Sequence, residues 1–466
     1  MTPRKTLGIS LIAALAAAPV AAQPAPKAQP AASTPEDMSA FEKELDALFA
    51  KGGLTSDQAA ARAAAASPTV RRRVAEIEVA IAQKETAELA RVPQVGGKVS
   101  YTRLSHIDPF LFAPGTPGIE FLQNSTVIEG TVGVPLSDYV FRFPKLIDAA
   151  RLGAEAAQVN RRAAEVNAGQ DARLAYYEWV RANLQVLIAR RQLTQVQTTL
   201  TQVRALAEAQ RLSRADLMRV ESNEAQAEQA VVQLQSLAEL RDEQLRLLIG
   251  AGTEPLAIGE DIRTAVTAPE AGKLDDLLGT AKAHRLEFRA IDTGIRAKEK
   301  LQAAEVANKL PRLSAFAVAD YANPNSRVFP QEDKFTFTWA VGAQLTWTLN
   351  DMLIAGKTEN RLRAETNELR ADRENLERGT RIEVLAAQQA VLIAQRALET
   401  SQKGLSAAEE GYRVRRELLN AERATAVELV DAETDLTRAR IAALNARVDL
   451  RVALAQLGHA LGNDAK

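Results

Sequence analysis

The chain has 466 residues, of which 25% are charged, 46% are hydrophobic and only 5% are aromatic. Its 58 basic and 59 acidic residues give a formal net charge of −1, which excludes a global positive field that would attract nucleic acid. The absence of cysteine excludes disulfides, thiolate metal sites and a cysteine nucleophile. The abundance of Ala, Glu, Gln, Leu and Arg is typical of long helices or coiled coils.

The segment 1–22 is predicted to be a signal peptide. Positively charged residues precede a short apolar core, and small residues mark a cleavage site before Gln23. A membrane anchor is the alternative, but the core is shorter than the roughly 20 residues that a spanning helix needs. A Pro/Ala-rich linker, 23–40, follows. No later stretch of 18 residues is apolar and uncharged, so any membrane crossing has to be made of strands.

The rest of the chain contains a duplication. A helix that ends at Pro93 leads into an extended segment, and the same junction recurs at Pro311, 218 residues later. Proline lacks a backbone N–H and biases the preceding residue toward extended geometry, so each helix stops there. The offset becomes 212 further on, where 216–221 aligns with 428–433. We therefore predict two repeats, 41–250 and 274–462, joined by a linker or equatorial segment, 251–273.

Each repeat is predicted to contain two strands, because the apolar period changes within it from 3.6 to 2. The predicted strands are at about 94–104 and 125–136 in the first repeat and at about 312–321 and 335–347 in the second. Five large apolar residues of the last strand share one face: Phe335, Phe337, Trp339, Val341 and Trp347. Strands of about ten residues with an apolar outer face and small polar residues inside fit a lipid-spanning barrel, with these five facing the membrane. A soluble sandwich with one buried face is the alternative, and the strand pattern alone does not separate the two.

A long helix is predicted to begin after the second strand of each repeat, at about Phe143 and Met352. Apolar positions in these helices alternate spacings of three and four residues, for example over 179–207, which indicates a coiled-coil seam. The chain then reverses at two turns, 211–214 and 423–426, and return helices follow.

Helix lengths suggest how each repeat is built. The first long helix would extend roughly 100 Å at 1.5 Å per residue. The shorter helical pieces of the same repeat, 58–90 and 214–249, add up to about the same length, so two short helices stacked end to end match one long helix. Each repeat would form a rod from which the strands leave, long enough to span a bacterial periplasm.

Four strands cannot close into a barrel within one chain. Open sheet edges in lipid leave backbone groups unsatisfied at several kcal/mol each. Two chains would supply eight strands, and side chains would fill such a barrel. Three chains would supply twelve, which begins to allow a water-filled lumen, so a trimer is favoured if the strands span a membrane.

By these features the chain resembles the TolC-type outer-membrane efflux proteins over about residues 40–462. The resemblance rests on the duplication, the helix–Pro–strand junctions, the strand pairs, and a motif at the second return that reads Gly411-Tyr412 and then Glu428-Leu429-Val430-Asp431-Ala432. It implies a mainly α fold with a transmembrane β part, in which three chains form a 12-stranded β-barrel that continues into an α-helical tube. It also implies a bacterial outer-membrane location with the helices in the periplasm, and docking to a periplasmic adaptor and an inner-membrane pump of the RND or ABC type.

The resemblance also points to candidate site residues. Acidic residues at the matching positions, Glu428 and Asp431, would form carboxylate rings in a trimer and act as a periplasmic gate, with Asp216 a weaker candidate. Solvated coiled-coil carboxylates are the alternative. Tyr412 and Arg423 would hold the closed tip through hydrogen bonds, although seam packing also explains Tyr412. The adaptor would contact the turns, at Arg211, Leu212, Ser213, Arg214, Ala424 and Thr425, unless these are ordinary exposed turn residues.

Two departures from the family pattern affect the tips. The family usually has a glycine in each inter-helix turn, where a positive φ is needed, and the aligned residues here are Gln210 and Glu422. Tyr412 also lies 16 residues before Glu428, seven more than the family pattern predicts. Seven residues are one heptad, so the phase of the seam is preserved.

The sequence therefore favours a passive export duct rather than an enzyme. It shows no nucleotide-binding loop, metal-ligand spacing or nucleophile motif, and we expect no cofactor. The alternative from another class is a secreted or surface coiled-coil structural protein whose strands form a small soluble sheet. The transported cargo cannot be read from the sequence.

Overall fold

A computed structural model describes residues 43–44, 46–108, 113, 115, 122–266, 272–421 and 423–465. The predicted signal peptide and linker lie outside these residues. The chain divides into two units, Met1–Ala47 and Leu48–Lys466, and all the elements below belong to the second.

The secondary structure repeats in the order that the duplication predicts. The first repeat contains β1 (Phe49–Leu54), α1 (Ser56–Ala66), α2 (Pro68–Leu89), β2 (Gln94–Arg103), β3 (Asn124–Val134), α3 (Leu136–Phe141), α4 (Phe143–Glu208) and α5 (Arg214–Ile249). The second contains α6 (Leu274–His284), α7 (Leu286–Val306), β4 (Arg312–Asn323), β5 (Thr336–Thr346), α8 (Leu349–Asn420) and α9 (Ala426–Ala460). Each of the four predicted strands is present to within about two residues at either end.

The prediction of one continuous helix over 58–90 is wrong, because the chain breaks at Ser67 between α1 and α2. Ser67 has φ −59° and ψ 124°, and its side chain caps the next helix by accepting from the Val70 N–H. Pro68 occupies the first position of α2, where its missing N–H costs nothing. The second repeat breaks in the same way at Arg285, which has φ −66° and ψ 127°.

The two long helices form the axis of each repeat. Helix α4 has 66 residues and α8 has 72, which correspond to about 100 and 108 Å. Helix α4 packs against α2 over one part of its length and α5 over another, and α8 packs against α7 and α9 in the same way. The end-to-end matching of short helices with a long one is therefore confirmed. The predicted seams are buried, as at Val196 and Val384, each with no exposed surface.

The strands form one antiparallel sheet in the order β2-β3-β4-β5. Each repeat supplies a hairpin, and the two hairpins join where β3 pairs with β4. Strands β2 and β5 are the two edges of the sheet, and neither pairs with another described strand on its outer side. The sheet therefore presents two open edges to whatever surrounds the chain.

The segment between the repeats is held against the middle of the helices. Leu54 exchanges backbone hydrogen bonds with Ala257 and Gly259, both 2.8 Å long. This approach needs glycine, because a Cβ on Gly259 would lie 2.1 Å from the Gly53 carbonyl oxygen.

Arg451 of α9 fixes the same segment. This side chain is only 5% exposed, and its guanidinium donates to the Thr264 carbonyl oxygen at 2.8 Å and the Thr264 hydroxyl at 3.2 Å. Its Nε lies 3.5 Å from the Glu260 carboxylate, which also accepts from the Tyr177 hydroxyl at 3.2 Å. The linker is thus attached to the second repeat through Arg451 and to the first through the hydrogen bond between Tyr177 and Glu260.

We predict that Arg451→Ala lowers the free energy of unfolding by about 2–3 kcal/mol, because it removes charged hydrogen bonds and leaves Glu260 without its cation. Arg438→Ala on the same helix is the control. Its guanidinium is 73% exposed and pairs with Asp435 at 2.7 Å, so its loss should cost less than about 1 kcal/mol. Thermal unfolding of the detergent-solubilised protein, followed by circular dichroism, measures both. Equal destabilisation by the two variants would contradict the role given to Arg451.

Candidate functional site: the faces of the sheet and the helical tips

One face of the four-stranded sheet is apolar and, apart from Arg103 at the last position of β2, uncharged; we call it the uncharged face. The strand registers align its residues in rows, so that Phe337, Trp339 and Val341 lie beside Tyr321, Ala319 and Ala317. The face consists of Val95, Gly97, Val99, Tyr101, Thr126, Ile128, Gly130, Val132, Val134, Leu313, Ala315, Ala317, Ala319, Tyr321, Phe337, Trp339, Val341, Ala343 and Leu345. Its aromatic and branched side chains are open to the surroundings, as Val341 at 70% exposure and Trp339 at 66% illustrate.

The five residues predicted to face a membrane fall into two groups. Phe337, Trp339 and Val341 belong to this uncharged face, whereas Phe335 and Trp347 lie just outside β5 at its two ends. Phe335 stacks on Tyr321 with ring centroids 5.0 Å apart, and Trp347 is 57% exposed. The opposite face of the sheet is mostly polar or small and includes Ser100, Thr102, Thr131, Ser314, Thr338 and Gln344. Among the described residues, no helix combines the length and hydrophobicity needed to cross a membrane.

The first inter-helix turn adopts a positive φ without glycine. Gln210 has φ 59°. Its N–H donates to the Ala207 carbonyl oxygen at 3.0 Å, and the Arg211 N–H donates to the Leu206 oxygen at 2.9 Å, as in a Schellman helix end. The second turn repeats the hydrogen bond that spans five residues, from the Arg423 N–H to the Leu418 oxygen at 2.8 Å. Glu422, the other predicted departure, lies outside the described residues.

Two of the predicted gate acids also cap the return helices. In α5 the Asp216 N–H donates to the Ser213 hydroxyl at 3.1 Å, and that hydroxyl donates back to the Asp216 carboxylate at 2.7 Å. In α9 the Glu428 N–H donates to Thr425 and the Thr425 N–H donates to the Glu428 carboxylate, which forms a capping box. Ser213 and Thr425, predicted as adaptor contacts, thus have a structural role at the tips.

Two of the predicted gate carboxylates have arginine partners within the chain. Asp431 lies 3.4 Å from the Arg219 guanidinium, and Glu428 lies 3.0 Å from that of Arg415. All four side chains are at least 44% exposed, so each pair is worth at most about 1 kcal/mol. Neither arginine was predicted from the sequence, although Arg219 occupies the position of the first repeat that aligns with Asp431, 212 residues away.

The other predicted tip residues are mostly at the surface. Arg211, Arg214 and Arg423 are exposed, and the Arg423 side chain has no partner in the described part of the chain. Ala424 and Tyr412 are half-buried. Leu212 packs against a buried cluster that joins the two repeats, formed by Leu200, Val203, Val220, Ala426 and Val430.

A buried carboxyl lies next to this cluster. Glu433 is 2% exposed and accepts a hydrogen bond from the Thr199 hydroxyl at 2.6 Å, while its other oxygen has no partner among the described residues. Burial is the main cause that raises the pKa of Glu433 above its ordinary value. The aligned residue of the first repeat, Glu221, instead forms an ion pair with Arg204 at 3.1 Å.

Comparisons with known proteins agree with this architecture. Residues 277–463 match the family model described as "Outer membrane efflux protein". A search of curated proteins finds no match. Among solved structures, the Campylobacter jejuni CmeC outer membrane channel is similar, with a TM-score of 0.74, 13% identity, and coverage of 91% of this chain and 87% of that chain.

Two further structures show the same likeness. The open-state MtrE outer membrane channel of Neisseria gonorrhoeae has a TM-score of 0.72 and 19% identity over 88% of this chain and 89% of that chain. CusC, whose crystal structures concern folding and transmembrane channel formation, has a TM-score of 0.73 and 17% identity over 89% of this chain and 93% of that chain. The second repeat therefore matches this family model, and the whole chain has the fold that these channel structures share. The predicted resemblance is confirmed, and the similar proteins are channels rather than enzymes.

We predict that Glu433→Gln removes a pH dependence from stability. The raised pKa means that the contribution of Glu433 is fully present below the ordinary value of 4.5 and is lost as pH rises through the folded-state value. The melting temperature of the wild type should therefore fall relative to that of Glu433→Gln as pH increases above 4.5. Glu221→Gln, at the aligned half-buried position, should leave that pH dependence unchanged. Parallel curves of melting temperature against pH for wild type and Glu433→Gln would contradict the assignment.

Proposed function

We propose that this chain is the outer-membrane channel of a tripartite efflux or type I secretion system, a passive trimeric export duct that spans the outer membrane and the periplasm. The observation that carries the proposal is the uncharged face that continues across all four strands, from Val95 to Leu345. A soluble protein rarely exposes so large a continuous apolar surface. Such a face is stable in contact with the hydrocarbon of a lipid bilayer.

The open edges of the sheet support a trimer. The outer backbone groups of β2 and β5 need partners in lipid, because each unsatisfied group there costs several kcal/mol. When β5 of one chain pairs with β2 of the next, three chains close twelve strands around a lumen. The mostly polar and small residues of the opposite face then line water, as they do in outer-membrane barrels.

The helices extend this lumen through the periplasm. Helices α4 and α8 are about 100 and 108 Å long, and both follow directly on the strands, so the tips lie far from the sheet. Three chains would place twelve long or stacked helical columns side by side as a tube. The adaptor and an inner-membrane pump of the RND or ABC type would meet this tube at its tips.

Residues at the tips would form the gate and the contact with the adaptor. Glu428, Asp431 and Asp216 place carboxylates on the first turns of the return helices, and Arg219 and Arg415 restrain two of them. Because these ion pairs are weak and exposed, a docking adaptor can replace them at low cost. Exposed Arg211, Arg214 and Arg423 would offer donors to an adaptor, while Tyr412 and Leu212 support the helix ends.

The alternative, a secreted or surface coiled-coil structural protein, is not favoured. It explains the seams but leaves the exposed face of the sheet without a function. The two proposals predict different behaviour, because a duct would be recovered as a detergent-dependent, heat-modifiable trimer from outer membranes. A structural protein would instead be a water-soluble elongated molecule.

We predict that Val341→Lys prevents stable insertion of the trimer. Val341 lies near the middle of β5 on the uncharged face, and a lysine at the bilayer midplane costs about 2–4 kcal/mol per chain. The control is Gln344→Lys, which places the same charge on the opposite, lumen-lining face of the same strand. Heat-modifiable trimer in outer-membrane fractions is the measurement. Normal trimer levels for Val341→Lys would show that this face does not contact lipid.

We also predict that Glu428 and Asp431 control the conductance of the tip. In planar bilayers the wild type should conduct poorly and be blocked by multivalent cations added to the side of the helical tips. Glu428→Ala/Asp431→Ala should lose that block, because it removes both carboxylates that attract the cation. Asp449→Ala, on the same helix about 27 Å from Asp431, is the control and should keep it. If the double variant is blocked like the wild type, these residues are not the gate.

A further inference from the structure

The interior of the sheet contains charged residues that the proposed function does not explain. Strands β2 to β5 carry five charged residues, two of which, Arg103 and Arg312, are the terminal residues of their strands. The other three are Lys98, Glu129 and Asp320. They are far apart in sequence and belong to three different strands.

The strand registers bring these three residues into one row. Lys98 pairs with Glu129 across β2 and β3, and Glu129 pairs with Asp320 across β3 and β4. Thr338 of β5 completes the row beside Asp320. Because side chains alternate between faces along a strand, all four lie on the face opposite to the uncharged one. We name Lys98, Glu129 and Asp320 the charged row.

The charges of this row do not cancel. Lys98 lies opposite Glu129 and offsets its charge, but Glu129 and Asp320 are like charges directly opposite each other, an arrangement that destabilises a sheet. None of the three forms an ion pair in the described part of the chain, whereas Arg312 at the helix end of β4 pairs with Asp138 at 3.7 Å. One negative charge per chain therefore remains uncompensated, so this face of the sheet has to be in contact with water.

The row crosses β2 and β3 near their middles and β4 in the half that is far from the helices. Lys98 is the fifth residue of β2 counted from the helix side, and Asp320 is the ninth of β4. In a threefold assembly each member of the row recurs three times at one height. Three equivalent patches, each with one net negative charge, would then face the same cross-section of the lumen.

We infer that the charged row sets the charge preference of the barrel lumen, with Asp320 and Glu129 favouring the passage of cations over anions and Lys98 opposing them. The inference rests on the proposed function, since it requires the inner face to line water. A charged wall backed by a low-dielectric barrel concentrates counter-ions in the lumen. The solutes affected are small cations and cationic organic molecules, and the site is separate from the gate at the tips.

Reversal potentials of single channels in a KCl gradient test this inference. Glu129→Gln/Asp320→Asn should lower the ratio of K⁺ to Cl⁻ permeability by about threefold or more, because it removes six carboxylates per trimer from the lumen. Lys98→Gln should raise the ratio. The effect should weaken between 0.1 and 1 M KCl, since the Debye length falls from about 10 to about 3 Å.

A matched control distinguishes an effect of the charged row from an effect of any carboxylate near the loops of the sheet. Asp320→Asn and Glu332→Gln each remove one carboxylate from the same end of the sheet, but Glu332 is in the loop between β4 and β5. Only Asp320→Asn should change the permeability ratio. Block by a trivalent cation added on the loop side should depend on Asp320, and block from the tip side should not.

The outcomes distinguish this inference from the proposed function. If the wild type forms channels and the permeability ratio is the same in wild type, Asp320→Asn and Lys98→Gln, the channel assignment stands and the charged row has no such role. If the wild type forms no channel, the proposed function fails and the inference fails with it. A lower ratio of K⁺ to Cl⁻ permeability in Glu129→Gln/Asp320→Asn and a higher ratio in Lys98→Gln support the inference.

Discussion

Backbone hydrogen bonding at the edges of the sheet is the constraint on which the proposed assembly depends. One chain pairs β2 with β3, β3 with β4 and β4 with β5, and then has no strand left for the outer sides of β2 and β5. In water these groups can bond to solvent, but in hydrocarbon they cannot. The same apolar solvent accounts for the uncharged outer face, and closure by three chains accounts for charged and polar residues on the other face. Lipid, trimer and lumen thus follow from one requirement.

Duplication gave this chain two related tips, which have since diverged at aligned positions. Asp216 and Glu428 occupy the same position after the N-cap, where Glu428 completes a capping box with Thr425 and the Asp216 carboxylate bonds only the Ser213 hydroxyl in the described part of the chain. Arg219 and Asp431 carry opposite charges and now pair with each other. Glu221 remains on the surface, whereas Glu433 is buried against Thr199. The return helix of the second repeat therefore carries two exposed acids and one buried acid near the tip.

Rigid and weak parts of the molecule are separated along its length. The middle is held by buried groups, in which Arg451 attaches the linker to the second repeat and Tyr177 attaches it to the first, and the long helices pass through it without a break. At the tips the contacts are exposed ion pairs and helix caps around the small cluster that contains Leu200 and Val430. Such contacts contribute little to stability. A movement that opens the duct would therefore be confined to the tips, while the sheet and its charged row stay unchanged.

The sequence by itself determined the duplication, the strands, the long helices and the stacking of short helices on them. Local signals carry all of these, namely proline positions, apolar periods and helix lengths. The missing glycine left the geometry of the first turn open, and the structure shows that Gln210 itself adopts the positive φ. Tertiary structure alone decided which side chains meet. The row of Lys98, Glu129 and Asp320 depends on strand register, and the partners of Asp431, Glu428 and Glu433 lie 212, 13 and 234 residues away. No local pattern encodes such pairings, because they arise only when separate helices and strands pack against each other.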